Sequence, residues 1–134
     1  MLPEATKPVA NYVKWVRSGN LVFTAGHGSP PGKLGESFTI EQGYNAAQFT
    51  GLQLLATLKD AVGDLSKVKR IVKVLGFVHC VDGFKDHSKV MDGFSDLIVL
   101  AFGEKGKHAR SSIGASSLPN GIALEIEIVV EVED

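Results

Sequence analysis

A strict alternation of apolar and acidic residues near the end of the chain constrains the fold more than any other feature of the sequence. Every second residue over positions 122–132 is apolar: Ile122, Leu124, Ile126, Ile128, Val130 and Val132. Glu125, Glu127 and Glu131 lie between them, and Glu133 continues their series. Because successive side chains of a strand point to opposite faces, the pattern predicts a long strand with one face in the core.

Two further segments carry apolar residues at helical intervals. Thr39 followed by Gln42 has the spacing of a capping box and predicts the start of a helix that stops at Gly63. Its apolar face is formed by Ile40, Tyr44, Ala47, Gly51, Leu54, Leu55, Leu58 and Val62. A second helix is predicted between Asp82-Gly83 and Gly103. Its apolar face is formed by Val90, Met91, Phe94, Leu97, Ile98, Ala101 and Phe102.

The remaining apolar stretches complete a sheet. A hairpin is predicted from Tyr12–Val16 and Leu21–Ala25, which flank the turn Ser18-Gly19-Asn20. Further strands are predicted at Val68–Val81, apolar in its later half, and at Ser111–Ser117. The order strand, strand, helix, strand, helix, strand, strand implies an α+β two-layer sandwich, a mixed sheet with two helices on one face. Residues 1–134 are expected to form a single domain.

The opposite face of this sheet would be exposed unless subunits associate over it. Val129 lies among the outward glutamates, and the first strands offer Trp15 or its neighbours, which favours oligomerisation through this face. The glutamate row itself leaves two interpretations open. It is either the hydrated face of an ordinary strand, or, under a covering subunit, it supplies a partly buried carboxylate near Arg110, which is a catalytic arrangement.

Charge and composition narrow the classes of partner. The 14 Lys and Arg residues against 15 Asp and Glu give a formal net charge of −1, which argues against general electrostatic binding of nucleic acid. The strongest basic run, Lys67 to Lys73, is interpreted as a solvated strand edge, with a local RNA contact left open. The longest apolar run, Leu97 to Phe102, is far too short to cross a membrane. We therefore expect a cytoplasmic protein that does not bind membranes.

Metal-binding side chains cluster in one place, at His79, Cys80, Asp82, Asp86 and His87. No pair among them has a recognised zinc spacing, and the neighbours His79 and Cys80 would point to opposite faces of a strand. No metal site is therefore expected. The single cysteine, Cys80, excludes an intrachain disulfide, fits a reducing compartment, and has no nucleophile motif around it.

Several motifs resemble the RidA/YjgF family of reactive-intermediate (enamine/imine) deaminases. The later part of the chain carries Ala109-Arg110-Ser111-Ser112, Leu118-Pro119 and Leu124-Glu125-Ile126-Glu127. Earlier matches are Asn11-Tyr12-Val13, Ser18-Gly19-Asn20-Leu21, Ala25-Gly26 and Val68-Lys69-Arg70-Ile71-Val72-Lys73. The resemblance covers nearly the whole chain. It implies a chorismate-mutase-like fold and a homotrimer with a ligand cleft at each subunit interface, which would cover the open sheet face.

The resemblance also implies roles for five residues. Arg110 corresponds to the arginine that binds the substrate carboxylate, which a planar guanidinium can do with two parallel hydrogen bonds. Glu125 corresponds to the carboxylate that orients the attacking water. Tyr12 and Gly26 would line the cleft, and the backbone amide of Ser112 would bind ligand. The implied reaction is the hydrolytic deamination of small 2-enamino or 2-imino acids to 2-oxo acids and ammonia, without a metal or cofactor.

Two positions depart from the family pattern. Ser112 stands where deaminating members often have cysteine, and His27 stands where many have glutamine. The sequence therefore resembles a divergent branch, and two alternatives stay open. One is a non-catalytic binding or regulatory module that uses the same intersubunit cleft for a small carboxylate or another metabolite. The other, weaker alternative is an endoribonuclease or translation inhibitor.

Overall fold

One six-stranded sheet and two long helices make up the protein, a computed structural model that describes residues 2–134. The strands are β1 (Trp15–Ser18), β2 (Leu21–Thr24), β3 (His27–Gly28), β4 (Val68–His79), β5 (Ala109–Ala115) and β6 (Leu124–Val132). The helices are α1 (Ile40–Val62) and α2 (His87–Phe102). The α+β class with a mixed sheet is confirmed. Within the described residues, no helix is long and apolar enough to span a bilayer.

The sheet has the strand order β1-β2-β6-β4-β5, and the short β3 pairs with the beginning of β6. Only β4 and β5 are parallel to each other; the other pairs are antiparallel. Parallel neighbours need a crossover connection, and α2 lies within the segment that joins them. Strand β6, although it comes last in chain order, lies in the middle of the sheet between β2 and β4, and β5 lies at an edge.

The alternation along β6 is realised as predicted. Its inward side chains are at most 2% exposed: Leu124, Ile126, Ile128, Val130 and Val132. They form the core together with buried residues of β4, α1 and α2. Glu125, Glu127 and Glu131 project from the opposite face, where Phe77 of β4 is the direct neighbour of Glu125. The hydrophobic pattern therefore fixes which face of the sheet the helices cover.

Helix α1 starts at the predicted capping box. The Gln42 backbone N–H donates to Thr39 Oγ1 at 3.1 Å, and the Thr39 backbone N–H donates to Gln42 Oε1 at 2.9 Å. The helix ends at Gly63, whose φ of 84° suits glycine. Helices α1 and α2 approach so closely that a Cβ at Gly93 would lie 2.8 Å from the Tyr44 carbonyl carbon.

Several strand boundaries differ from the sequence-based prediction. Strand β1 begins at Trp15 rather than Tyr12, because the Tyr12 N–H is used locally by the Ala10 carbonyl at 2.9 Å. Strand β4 ends at His79 rather than Val81. Strand β5 covers 109–115 rather than 111–117, since parallel pairing with β4 already begins at Lys73 and Ala109.

Candidate functional site

Arg110 lies on the helix-covered side of the sheet and is held by α2. On edge strand β5 it pairs in parallel register with Val74, which is fully buried. Its Nη1 donates to Asp92 Oδ1 at 3.0 Å and to Ser95 Oγ at 2.9 Å, and its Nη2 donates to the Ser88 carbonyl at 3.3 Å. Only 17% of its side chain is exposed. The guanidinium is therefore held in one place by three groups of a single helix.

A cavity of about 420 Å³ lies beside Arg110, lined by Asp92, Ser95, Val99, Lys107 and His108. His108 Nδ1 lies 2.6 Å from the Gly106 carbonyl, which can only accept, so Nδ1 carries the proton. His108 Nε2 then accepts the Ser95 hydroxyl proton at 2.8 Å. Burial lowers the pKa of His108, and the Arg110 charge lowers it further. A continuous hydrogen-bonded chain thus runs from the guanidinium to the backbone.

Glu125 lies on the open face of the sheet, between two neighbouring strands. It pairs with Phe77 of β4 on one side and with Gly28 of β3 on the other. A Cβ built at Gly26 would lie 2.8 Å from Cδ of Glu125. The missing side chain at position 26 therefore leaves the room that the Glu125 carboxylate uses. Gly26 and Glu125, two of the predicted site residues, are brought together.

Tyr12 and Ser112 are the remaining predicted site residues. Tyr12 is 43% exposed and lies in the segment before β1. Ser112 pairs with Gly76 on β5 and is two residues from Arg110, so the two side chains share the helix-covered side. The Ser112 hydroxyl is buried and has no hydrogen-bond partner within residues 2–134.

Within one chain, Arg110 and Glu125 do not form a single site. Arg110 faces the helices from β5, whereas Glu125 faces away from them on β6, and β4 lies between the two strands. A cleft that uses both side chains therefore requires two copies of the chain. The position of β5 at the sheet edge leaves its outer side free for such an approach.

The cluster of possible metal ligands around Cys80 contains one close pair of side chains. Cys80 Sγ lies 3.7 Å from His87 Nε2. Burial raises the pKa of the Cys80 thiol, so the reactive thiolate is disfavoured. No three His, Cys, Asp or Glu residues between positions 2 and 134 are arranged to hold a metal ion.

Asp92, Ser95 and His108 contribute to the Arg110 environment but are not identifiable from the sequence as site residues. Asp92 and Ser95 are three residues apart, so they share one face of α2. That spacing is the available signal, yet it becomes informative only when the packing of β5 beside α2 is known. His108 lies in the connection before β5, where it has the pattern of a surface loop residue.

Comparison with known proteins identifies the family. Residues 2–129 match the family model described as "YjgF/chorismate mutase-like, putative endoribonuclease". The chain is 40% identical to Protein TCP17 of Trypanosoma cruzi, covering 99% of this chain and 88% of that protein. It is 27% identical to the 2-iminobutanoate/2-iminopropanoate deaminase of Dermatophagoides farinae, covering 98% and 93%. A solved structure of "a putative endoribonuclease" from Shewanella oneidensis is 29% identical, with a TM-score of 0.95 over 98% of this chain and 92% of that one. The chain therefore belongs to the YjgF/chorismate mutase-like family.

Proposed function

We propose that this protein hydrolyses small 2-imino acids, formed from 2-enamino acids, in a cleft between copies of the chain. The observation that carries the proposal is the placement of Glu125 against Gly26 on the open sheet face, with Arg110 fixed near the sheet edge. The deaminase name of the Dermatophagoides farinae relative supports the reaction class. Tyr12 and the Ser112 backbone amide complete the proposed ligand contacts.

We propose a homotrimer, the assembly that the family resemblance implies. One chain supplies only part of the cleft, so at least two copies must meet there. The open face carries apolar side chains, with Val16 53%, Phe23 42% and Ile113 47% exposed. Their strand partners place them on the same face as Val129 and Glu125. An exposed apolar face of this kind favours a protein partner over water, and a partner there would also partly bury Glu125.

The proposed reaction divides the work between two side chains. Arg110 of one protomer binds the substrate carboxylate through its planar fork. Glu125 of another protomer accepts a proton from a bound water, whose oxygen attacks the C=N carbon. The resulting carbinolamine loses ammonia as the C=O bond forms, so imino acid and water give 2-oxo acid and ammonia. Removal of bulk water would strengthen both contacts, since charges interact more strongly in a low dielectric.

The test measures 2-oxo acid and ammonia released from 2-aminoacrylate that a pyridoxal-phosphate enzyme generates in the same vessel. We expect the wild type to accelerate release over the spontaneous rate, and Arg110→Ala and Glu125→Gln to lose at least about 100-fold of that acceleration. Arg110→Lys separates charge from the bidentate fork. Glu127→Gln, two residues along the same face, is the matched control for Glu125→Gln.

The same experiment separates catalysis from binding. Full activity in the Arg110→Ala variant, with its fold intact, would overturn the assigned role. Saturable binding of 2-oxo acids without any turnover would instead favour the metabolite-binding module.

RNA cleavage is the second candidate, supported by the name of the Shewanella oneidensis structure. Lys69 and Arg70 are exposed on the part of β4 that pairs only with β6, so they form an accessible basic edge. We expect that any ribonuclease activity of the purified protein would disappear in a Lys69→Ala/Arg70→Ala variant. Activity that survives this change would not come from this edge.

A further inference from the structure

A second cavity, of about 280 Å³, lies where the loop after β2 faces α1. Lys14, Gln53 and Phe49 line it together with Pro30 and the His27 ring. It shares no lining residue with the cavity beside Arg110. Neither the proposed deaminase site nor the family comparison assigns this cavity a role.

His27 contributes a neutral wall to this cavity. Its Nδ1 lies 2.8 Å from the Ala25 carbonyl and therefore donates, so Nε2 accepts the Thr57 hydroxyl proton at 2.7 Å. Burial lowers the pKa of His27 to about 4, and the nearby Lys14 charge contributes to the decrease. Both ring nitrogens are occupied and the ring is uncharged at neutral pH. The imidazole therefore offers a ligand neither a free hydrogen bond nor a charge.

Lys14 is the positive charge of the cavity, and it has no acidic partner. No carboxylate lies within salt-bridge distance of its ammonium in the described part of the chain. The side chain is half-buried, and burial lowers the pKa of Lys14. Its backbone is fixed, because the Lys14 carbonyl accepts the Ala25 N–H at 2.8 Å. A partly desolvated cation without a counter-ion favours the binding of an anion.

The α1 side of the cavity adds a polar group and an apolar wall. Phe49, Gln53 and Thr57 follow one another at four-residue steps, so they share one face of the helix. Gln53 Oε1 is buried without a hydrogen-bond partner and can only accept a hydrogen bond, whereas the Nε2 group of the same amide can donate one to an anion. Phe49 is 44% exposed although its ring is apolar, and with Pro30 it provides surface for a hydrocarbon group.

We propose that this cavity binds a small monocarboxylate with an apolar body. The carboxylate would accept hydrogen bonds from Lys14 Nζ and from Gln53 Nε2, and the hydrocarbon part would cover Phe49 and Pro30. A single unpaired positive charge matches one carboxylate. The proposal does not depend on the deaminase function, since it uses none of the residues assigned to that reaction.

Butanoate and its neutral counterpart butanamide test this proposal by titration into ¹⁵N-labelled protein. We expect saturable shifts of the Gly28 and Ser29 backbone amides with butanoate and much weaker ones with butanamide. Lys14→Met, which keeps the aliphatic stem, should weaken butanoate binding at these amides at least tenfold, whereas Lys14→Arg should retain it. Lys7→Met, an exposed lysine of the same segment, is the matched control.

Arg110→Ala separates this site from the proposed catalytic cleft. Butanoate shifts at Gly28 and Ser29 should persist in that variant. The proposal would be overturned by shifts confined to β5 around Arg110, by equal binding of butanamide, or by unchanged binding in folded Lys14→Met protein.

Discussion

The carboxylate of Glu125 occupies the space that a side chain at Gly26 would require, and a Cβ built at Gly26 would lie 2.8 Å from Glu125 Cδ. The two residues belong to different parts of the chain and meet because β3 pairs with the start of β6. Position 26 must therefore be glycine if the Glu125 carboxylate is to keep its place, because any larger residue would displace the carboxylate.

The Gly26→Ala variant should lose imine hydrolysis while it keeps the fold. The added methyl group meets the flexible end of Glu125 rather than backbone, so the carboxylate moves and the free energy of unfolding changes by no more than about 1 kcal/mol. We expect activity to fall at least about tenfold. A double variant with Glu125→Gln should lose little more than Glu125→Gln alone; additive losses would show that Gly26 acts independently.

Asp92 should weaken the binding of carboxylate ligands to Arg110. Its carboxylate already neutralises part of the guanidinium charge at 3.0 Å, so a ligand carboxylate must approach a second anion. Asp92→Asn should therefore lower the Kd for 2-oxo acids several-fold, and the effect should shrink at high salt. Because 53% of the Asp92 side chain is exposed, stability should change by at most about 1 kcal/mol. Weaker binding in this variant would assign Asp92 a supporting role instead.

Acid should destabilise the protein through His27. The pKa of His27 is about 4 in the folded state, below the ordinary value of 6.5. Between these two pH values His27 is therefore protonated in the unfolded chain but neutral in the folded chain. Stability should fall as pH drops from 6.5 towards 4, by roughly 3 kcal/mol at most, and this residue should contribute no pH dependence above 6.5. Denaturant unfolding at several pH values should show a shallower slope for His27→Gln over this window; an equal slope would refute the assignment.

The Thr57 hydroxyl should contribute more to the free energy of unfolding than the hydroxyl of Thr50, which lies about two turns earlier in the same helix. Thr57→Val leaves the buried His27 Nε2 without its donor, which should cost about 1–3 kcal/mol. Thr50→Val is the matched control, because Thr50 is also buried and its hydroxyl only adds a bond to the Ala46 carbonyl of the same helix. Equal losses of unfolding free energy in the two variants would contradict the prediction.

The open sheet face should control assembly. We expect the wild type to sediment as a trimer and Phe23→Lys to shift it towards monomer, because a charge would be buried against an apolar surface. Leu100→Lys is the control: Leu100 is 85% exposed on α2, away from this face, and its substitution should leave the trimer intact. Sedimentation velocity measures both, and a trimer that persists in Phe23→Lys would place the interface elsewhere.

The sequence predicts the elements of this fold well where periodicity is strong. The alternation in β6 and the capping box at Thr39 both appear in the structure. Boundaries are less predictable where pairing decides them. The start of β1 depends on a local bond of Tyr12, and the start of β5 depends on its register against Lys73.

The candidate site is predictable only in part. Family motifs mark Arg110, Glu125 and Gly26, but which face each residue occupies follows from strand register and strand order. The opposite orientation of Arg110 and Glu125 is a property of the sheet that no local pattern contains. The Lys14 cavity is also invisible in the sequence, since it joins an early segment, a loop and the middle of α1.

Strand β6 is inserted between β2 and β4, although it follows both of them in the chain. Without the nine residues of β6, the chain would hold two separate half-sheets, each with an unsatisfied edge and a partly uncovered apolar side. The pairings that join the halves are therefore long-range, and such pairings form slowly compared with local contacts. A chain cut short before residue 124 would lack the strand that unites its halves, and would be presented to chaperones and proteases as an incomplete product.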